Sequence, residues 1–301
     1  MAYEIVEDVL RIEPDHRLSR GVIGQQFFVD RFRKDDPTYA GEWASPYEVR
    51  KRSGSRAEIN HPEFGWIPSS HKTRYEQGER PWRNNWISKE KEQEIRRKFT
   101  NAWEIESEHF LIKTNTSFEE GVALSRMLET YYGWLHAHFA PFFETPAELQ
   151  ERFEKAQLRS RFERPLLVHM YAERAEYDRA TRGKIPPGLV TNGLYWEDDK
   201  TCYLSRGDRP DLDVAFHETT HQILDLASRD NRMQAARRLK QERRLRTTPR
   251  WVMAEKSNFW VLEGIACYME SFRIGDGNLT SGDPNHIRFR GAQQRLSLIH
   301  I

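Results

Sequence analysis

The segment VAFHETTHQILD, residues 214–225, decides how the rest of the chain is interpreted. It contains His217 and His221 with Glu218 between them, which is an HExxH pattern. On an α-helix, residues four apart lie one above the other on the same face, so the two imidazoles can reach one metal ion. Glu218 then lies beside them, where a water activated by the metal would be. The segment therefore predicts a helical metal site.

Neutral imidazoles favour zinc, which prefers nitrogen and sulfur ligands in a tetrahedral arrangement. We therefore expect Zn2+ as the cofactor and Glu218 as the catalytic base. Such a short pattern also occurs by coincidence in unrelated proteins. A zinc site additionally requires a helix under the motif, a third ligand and a fold around them.

The composition is that of a folded protein without a global charge preference. Of the 301 residues, 38% are hydrophobic and 12% are aromatic, which argues against disorder. The net charge of +1 gives no reason to expect a nucleic acid as partner. No apolar run approaches the length of a membrane span. The two cysteines are too few for a disulfide scaffold.

Residues 1–100 are predicted to form a helical and tryptophan-rich N-terminal segment. Amphipathic patterns favour short helices over 3–12 and 17–32, and mixed charges favour a helix over 88–99. Between them, residues 35–88 combine prolines and glycines with tryptophans and basic side chains, which is typical of irregular structure with short strands. Tryptophan beside arginine can stack nucleic-acid bases, but we favour the interpretation that these rings fasten an ordered loop region to a core.

Residues 101–295 show more regular patterns and are predicted to form one α+β domain. A strand over 109–114 precedes a long helix over 117–139 with an apolar stripe. A strand over 166–170 and a short helix follow, and then two strands within 193–205 that are predicted to form a hairpin. The HExxH helix comes directly after this hairpin.

The two ends of the chain bear on whether the sequence is complete and on where the protein is located. We expect residues 296–301 (LSLIHI) to be a non-native tail on a chain that is truncated at its C-terminus. The first residues lack the basic and apolar regions of a signal peptide. The cellular location stays open, because an incomplete N-terminus is compatible with export.

Glu263 is the predicted third ligand. It stands in an apolar helical segment, where a carboxylate is costly to bury unless it is paired or binds a metal. Two histidines and one glutamate form a common catalytic zinc set that leaves the fourth position for water. Glu263 lies 42 positions after His221 (263 − 221), so a second helix can turn back over the first, and we expect Gly264 to permit their close approach. Cys267 is expected to be a buried small residue and not a ligand.

The HExxH pattern followed by WxxEGxAxYxE resembles the gluzincin metallopeptidases. The matching residues of the second motif are Trp260, Glu263, Gly264, Ala266, Tyr268 and Glu270. Over residues 60–295 the chain also resembles the bacterial DUF1570 family, which is common in planctomycetes. The resemblance implies a zincin-like metallopeptidase domain, in which a mixed twisted sheet lies beside the HExxH helix and its edge strand binds an extended peptide. The strands at 193–205 are the candidates for this edge.

The implied activity is hydrolysis of peptide bonds in a peptide or protein substrate. Glu218 takes a proton from a water that zinc activates and delivers it to the leaving amine. Asp225 and Glu270 are expected to orient the metal ligands through hydrogen bonds, with surface ion pairs as the competing interpretation. Four side chains are candidates to stabilise the oxyanion: Tyr195, Tyr203, Tyr268 and His286.

Two other functions stay open at this stage. The chain can be a zinc hydrolase of a non-peptide amide, such as a cell-wall component, or a non-catalytic binding module stabilised by a metal. The presence of Glu218 argues against a binding module, which needs no base. Residues 229–250 hold nine basic and two acidic side chains, which we interpret as a solvated insertion and not as a nucleic-acid site. The sequence does not predict the oligomeric state.

Overall fold

The computed structural model describes residues 2–30, 33, 35–54, 56–156, 164–185, 187–207, 211–243, 259–275, 278–283, 286 and 290. The chain forms two compact units, Met1–Pro165 and Leu166–Ile301. The boundary between these two units lies after Pro165, whereas the sequence predicted a boundary between residues 100 and 101. Both units contain helices and strands, which confirms the α+β class. The predicted tail 296–301 and residues 244–250 of the basic segment lie outside the described residues.

The N-terminal unit begins with two short helices, α1 (Ala2–Ile12) and α2 (Arg17–Val22). Their inner faces form a small core in which Tyr3, Val6 and Val22 are buried. The predicted helix over 17–32 is wrong beyond Val22. Gly24 adopts a φ of 83°, a left-handed conformation that ends the helix, and a strand follows at residue 26.

Short strands run through the proline- and glycine-rich region, as predicted, together with short helices that the sequence did not predict there. The elements in chain order are β1 (Gln26–Phe28), β2 (Glu42–Ala44), α3 (Pro46–Ser53), β3 (Glu58–His61), β4 (Gly65–Pro68), α4 (Lys72–Glu76), β5 (Glu79–Trp82), β6 (Asn85–Ser88) and α5 (Lys89–Arg96). The hairpins are β1–β2, β3–β4 and β5–β6.

The tryptophan rings of this region pack against neighbouring side chains of the same unit. Trp66 meets the ring of Tyr47 edge-on at a centroid distance of 5.9 Å. Trp86 meets Tyr75 in the same way, and the Arg74 guanidinium lies 4.7 Å from the Trp86 ring centre. These contacts join β4 to α3 and β6 to α4, which supports the interpretation that the rings fasten this region to neighbouring structure.

The second half of the N-terminal unit is built around one long helix. A hairpin of β7 (Trp103–Glu106) and β8 (Phe110–Thr114) precedes α6 (Phe118–His138), and α7 (Ala140–Phe143) and α8 (Pro146–Lys155) follow it. Ser117 caps α6 by accepting a hydrogen bond from the Glu120 amide. The predicted apolar stripe is largely confirmed, because Val122, Ser125, Leu128, Tyr132 and Leu135 are buried.

The C-terminal unit combines a strand layer with two helices that carry the HExxH and Glu263 segments. Its elements are β9 (Leu166–Tyr171), α9 (Arg174–Ala180), β10 (Gly193–Trp196), β11 (Thr201–Ser205), α10 (Leu212–Arg243), α11 (Phe259–Met269), β12 (Arg273–Gly275) and β13 (Asn278–Thr280). Within this unit the strand order is β10–β11–β9. β11 pairs with β10 antiparallel, which confirms the predicted hairpin, and with β9 parallel.

Helix α10 packs on this strand layer through both apolar and polar contacts. Phe216 and Ile223 are each 1% exposed. The side-chain amide of Gln222 donates to the backbone carbonyls of Leu167 (3.0 Å) and Lys200 (2.8 Å), so it ties the helix to β9 and to the turn before β11. Among the described residues, no helix is both long and apolar enough to cross a membrane.

Glu129 on α6 is a partly buried carboxylate that fixes the turn before β8. Its Oε1 accepts a hydrogen bond of 2.6 Å from the His109 amide, and its Oε2 lies 2.7 Å from Nδ1 of the same residue. Burial alone would raise the pKa of Glu129, but the hydrogen bonds and charge of His109 outweigh burial and lower it. A lowered pKa in the folded state stabilises the fold above the ordinary carboxyl pKa.

We expect Glu129→Gln to lower the free energy of unfolding by about 1–3 kcal/mol at pH 7, because partly buried hydrogen bonds to a charged group are weakened or lost. The difference from wild type should shrink as the pH falls through the lowered pKa of Glu129, where the wild-type carboxylate becomes protonated. Denaturant titrations at a series of pH values measure both effects. Glu104→Gln, on an exposed carboxylate paired with Lys113, is the control and should change stability by less than about 0.5 kcal/mol. A Glu129→Gln effect that does not vary with pH would contradict this assignment.

Candidate metal centre

The HExxH segment is helical, as its spacing predicted. The Asp211 carboxylate accepts a hydrogen bond of 3.3 Å from the Val214 amide at the start of α10, and the Asp211 carbonyl accepts one from Ala215. One turn further on, His217 and His221 face the same side of the helix. Their Nε2 atoms lie 3.1 Å apart.

Glu263 on α11 faces the two imidazoles. Its Oε1 lies 3.3 Å from Nε2 of His221, and its Oε2 lies 3.6 Å from Nε2 of His217. The His221 side chain is 5% exposed, whereas that of Glu263 is 36% exposed. The three predicted ligands therefore converge, and solvent reaches the group from the side of Glu263.

The spacing and chemistry of these donors fit a zinc ion. Tetrahedral zinc with bonds of 2.0–2.2 Å to nitrogen and oxygen holds its ligand atoms about 3.4 Å apart. The three observed separations, 3.1, 3.3 and 3.6 Å, bracket that value. Two imidazoles and one carboxylate leave one position of a tetrahedral ion for water or substrate.

Glu218 lies near both histidines and reaches β10. Its Oε2 accepts a hydrogen bond of 2.6 Å from the amide of Tyr195. Burial raises the pKa of Glu218, against the opposing effects of His217, His221 and the Tyr195 amide. The sequence placed Glu218 beside the metal but gave no sign that a strand amide would hold it.

The backbone of β10 presents polar groups on the side away from β11. The Ser205 amide donates to the Asn192 carbonyl at 2.8 Å, so Asn192 belongs to a hydrogen-bonded pair of the hairpin. Such pairs alternate in an antiparallel ladder. Gly193 and Tyr195 therefore direct their amides and carbonyls away from β11, which is why the Tyr195 amide can reach Glu218.

Gly193 permits the close approach of α10 to β10. A Cβ atom on Gly193 would collide with Val214 and would lie 2.8 Å from Cγ of Glu218. The sequence predicted that Gly264 would permit the close approach of the two helices, and that prediction is wrong. Gly264 is exposed, and a Cβ added to it would meet no atom within 4 Å. The small residue on the buried side of α11 is Ala266, which is fully buried.

Glu270 contacts His217, one of the three predicted ligands. Its Oε1 lies 2.8 Å from Nδ1 of His217. Burial disfavours the charged imidazole, but contacts with Cys267 and Glu270 and the charges of Glu218 and Glu270 outweigh burial and raise the pKa of His217 to about 10. In the metal-free protein His217 therefore holds a proton that a metal must displace.

The other predicted site residues have partners that the sequence did not indicate. Asp225, which is 4% exposed, accepts a hydrogen bond of 2.9 Å from the Tyr195 hydroxyl. The hydroxyl of Tyr268 donates to the Ser281 carbonyl at 3.2 Å. The sequence missed Asp213, whose Oδ2 lies 3.2 Å from Nε2 of His286. Its position one helical turn before His217 is a signal that could have revealed it.

We expect Gly193→Ala to destabilise the protein by about 1–3 kcal/mol, because the added methyl group forces α10 away from β10. Gly264→Ala is the matched control, and we expect it to leave stability unchanged or raise it by up to about 1 kcal/mol, since alanine is favoured in a helix and the space is open. Denaturant titration of both variants measures the difference. Equal stability of the two variants would contradict the close approach at Gly193.

No protein-family model, curated protein or solved structure matches this chain. The resemblance to gluzincins therefore rests on the two sequence motifs, and the functional assignment rests on the geometry of the site.

Proposed function

We propose that the chain is a zinc-dependent metallopeptidase of the zincin-like type. The observation that carries the proposal is the convergence of His217, His221 and Glu263 within 3.6 Å of one another, with the Glu218 carboxylate on the same helix beside them. These residues would supply three ligands and one base, the smallest set of side chains that metal-assisted hydrolysis requires.

Each group of the chain has a separate task in this mechanism. When bound, zinc lowers the pKa of a coordinated water towards about 7 and polarises a carbonyl group. Glu218 takes a proton from the attacking water and transfers it to the leaving nitrogen. The Tyr195 amide donates a hydrogen bond to Oε2 of Glu218. We therefore assign the proton transfer to the other oxygen, Oε1. The charge of the Glu270 carboxylate, whose Oε1 lies 2.8 Å from Nδ1 of His217, attracts this imidazole and so orients it.

The outer side of β10 supports an extended peptide as the substrate. Gly193 presents an amide and a carbonyl there, and Tyr195 presents a carbonyl, directly beside the Glu218 side chain. A peptide strand pairs with such a row of backbone groups by β-augmentation. A small non-peptide amide cannot use the full row, so this feature favours a peptide substrate over a cell-wall amide.

We assign the stabilisation of the oxyanion to His286. The hydroxyls of the other three candidates donate elsewhere: Tyr195 to Asp225 (2.9 Å), Tyr203 to Asp199 (2.6 Å) and Tyr268 to the carbonyl of Ser281 (3.2 Å). His286 is buried against Asp213, at the N-terminal end of the helix face that carries His217 and His221. An imidazole held by a carboxylate is suited to donate a hydrogen bond to developing negative charge.

The decisive variant is Glu218→Gln, which keeps the shape of the side chain but removes the base. We expect it to retain one zinc per chain and to cleave an unfolded casein substrate about 10²–10⁴ times more slowly than wild type. Zinc content by elemental analysis and initial rates measure the two properties. Asp178→Asn, on an exposed residue of α9, is the control and should cleave at the wild-type rate.

The outcomes separate the function classes. Equal cleavage by wild type and Glu218→Gln would refute the mechanism. Zinc binding without cleavage of any peptide by wild type would favour a hydrolase of non-peptide amides or a binding module. Absence of a bound metal after reconstitution would refute all three.

We expect His286→Ala to lower kcat by about 10²–10³-fold with KM nearly unchanged, because its donor acts on the transition state and not on the bound substrate. Asp213 keeps its ion pair with Arg273 (2.9 Å) in this variant, so the helix start stays anchored. Tyr203→Phe is the control and should leave kcat unchanged. Steady-state kinetics on protein of verified zinc content measure both, and a kcat for His286→Ala within twofold of wild type would remove His286 from the mechanism.

A further inference from the structure

A second group of metal-donor side chains lies beside the first. Among the described residues, two such groups occur, and the second consists of His217, Cys267 and Glu270. One donor atom from each residue lies within 4.8 Å of the other two. The sequence treated Cys267 as a small apolar residue, so this group was not anticipated.

The two groups use opposite nitrogens of the same imidazole. Nε2 of His217 faces His221 and Glu263, whereas Nδ1 faces Glu270. Nδ1 is shielded from solvent, and although Oε1 of Glu270 lies only 2.8 Å away, Nδ1 makes no hydrogen bond of acceptable direction with the described residues. A buried polar atom without a well-directed hydrogen bond is unfavourable, and a bound cation would satisfy it.

Helix α11 brings the other two donors to this nitrogen. Cys267 and Glu270 are three positions apart and follow Glu263 at intervals of four and seven, so all three lie on one face of the helix. Glu270 is 5% exposed, whereas Cys267 is partly exposed. The thiol is therefore the point at which an ion from solvent can enter the group.

We propose that His217, Cys267 and Glu270 form a second metal site, selective for thiophilic divalent ions and sharing His217 with the first site. Imidazole, thiolate and carboxylate are all zinc ligands, and the thiolate shifts the preference towards softer ions. Binding releases the thiol proton to solvent and forms a metal–sulfur bond, with no change in oxidation state. Oε1 of Glu270 must move outward by about 0.6 Å to reach the ligand separation of a tetrahedral ion.

Sharing His217 makes the two sites compete. A neutral imidazole carries a proton on one nitrogen and binds a metal only through the other. An ion at the second site takes Nδ1 and moves the proton to Nε2, so it withdraws His217 from the first site. Provided that the proposed peptidase function holds, the second site is therefore inhibitory.

Cadmium is the probe, because a cadmium–thiolate bond absorbs in the ultraviolet and bonds to nitrogen or oxygen do not add this band. Wild-type protein loaded with one equivalent of zinc is titrated with Cd2+ while the absorption is recorded. We expect the band to saturate at one cadmium per chain and to be lost in Cys267→Ser. Cys202→Ala is the matched control and should keep the band, because the Cys202 thiol is buried and donates to the Glu218 carbonyl at 3.3 Å.

A second variant tests whether three residues form the site. We expect Glu270→Gln to weaken cadmium binding at least tenfold, and circular dichroism checks that each variant is folded. No band in wild type, a band that survives Cys267→Ser, or an affinity unchanged in Glu270→Gln would each overturn the site.

The peptidase assay then tests the sharing of His217. Loss of cleavage in parallel with the growth of the cadmium band supports competition, and full cleavage at saturating cadmium refutes it. Cadmium binding to a protein that shows no cleavage even with zinc alone refutes the proposed peptidase function and leaves the second site standing.

Discussion

The hydrogen bond from the Tyr195 amide to the Glu218 carboxylate is the contact on which the candidate site depends. A buried carboxylate is costly unless it is paired, and the strand amide at 2.6 Å supplies that pairing. The contact requires β10 to lie directly against α10, which only a residue without a side chain at position 193 allows. The register of β10, the position of α10 and the orientation of the Glu218 side chain therefore depend on one another.

Charged side chains between α10 and α11 impose a second constraint. His217, His221 and Glu270 are largely withdrawn from solvent, and the apolar residues around them, such as Phe216 and Phe272, pack edge to face at 5.1 Å. Ionisable groups in such a setting need partners, and a metal bound at either nitrogen of His217 would provide one. Because the unfolded chain holds no preformed site, metal binding would contribute directly to the stability of this unit.

The described part of the N-terminal unit follows the same physical rule, and neither group of metal-donor side chains lies in it. Arg80 is 3% exposed, and its guanidinium donates to the carbonyls of Tyr75 (3.0 Å) and Glu79 (2.9 Å) while lying over the rings of Phe64 and Tyr75. Glu129 is held by His109 in a comparable way. In both units buried charges are accompanied by well-placed partners, and in the N-terminal unit those partners already belong to the chain.

The sequence by itself determined what depends on neighbours along the chain. Helical spacing fixed the pairing of His217 with His221, and the apolar stripe of α6 and the hairpin before α10 were predictable from their periods. Glu263 was predictable from its donor chemistry in an apolar helix. The helix predicted over 17–32 failed at Gly24, where the backbone adopts a left-handed conformation, and β7 was not predicted. Tertiary structure alone decided that Gly193 and not Gly264 permits close packing, that Tyr195 holds Glu218, and that Cys267 and Glu270 reach the second nitrogen of His217. Contacts of this kind depend on the distance between elements far apart in sequence, and local patterns carry no information about that distance.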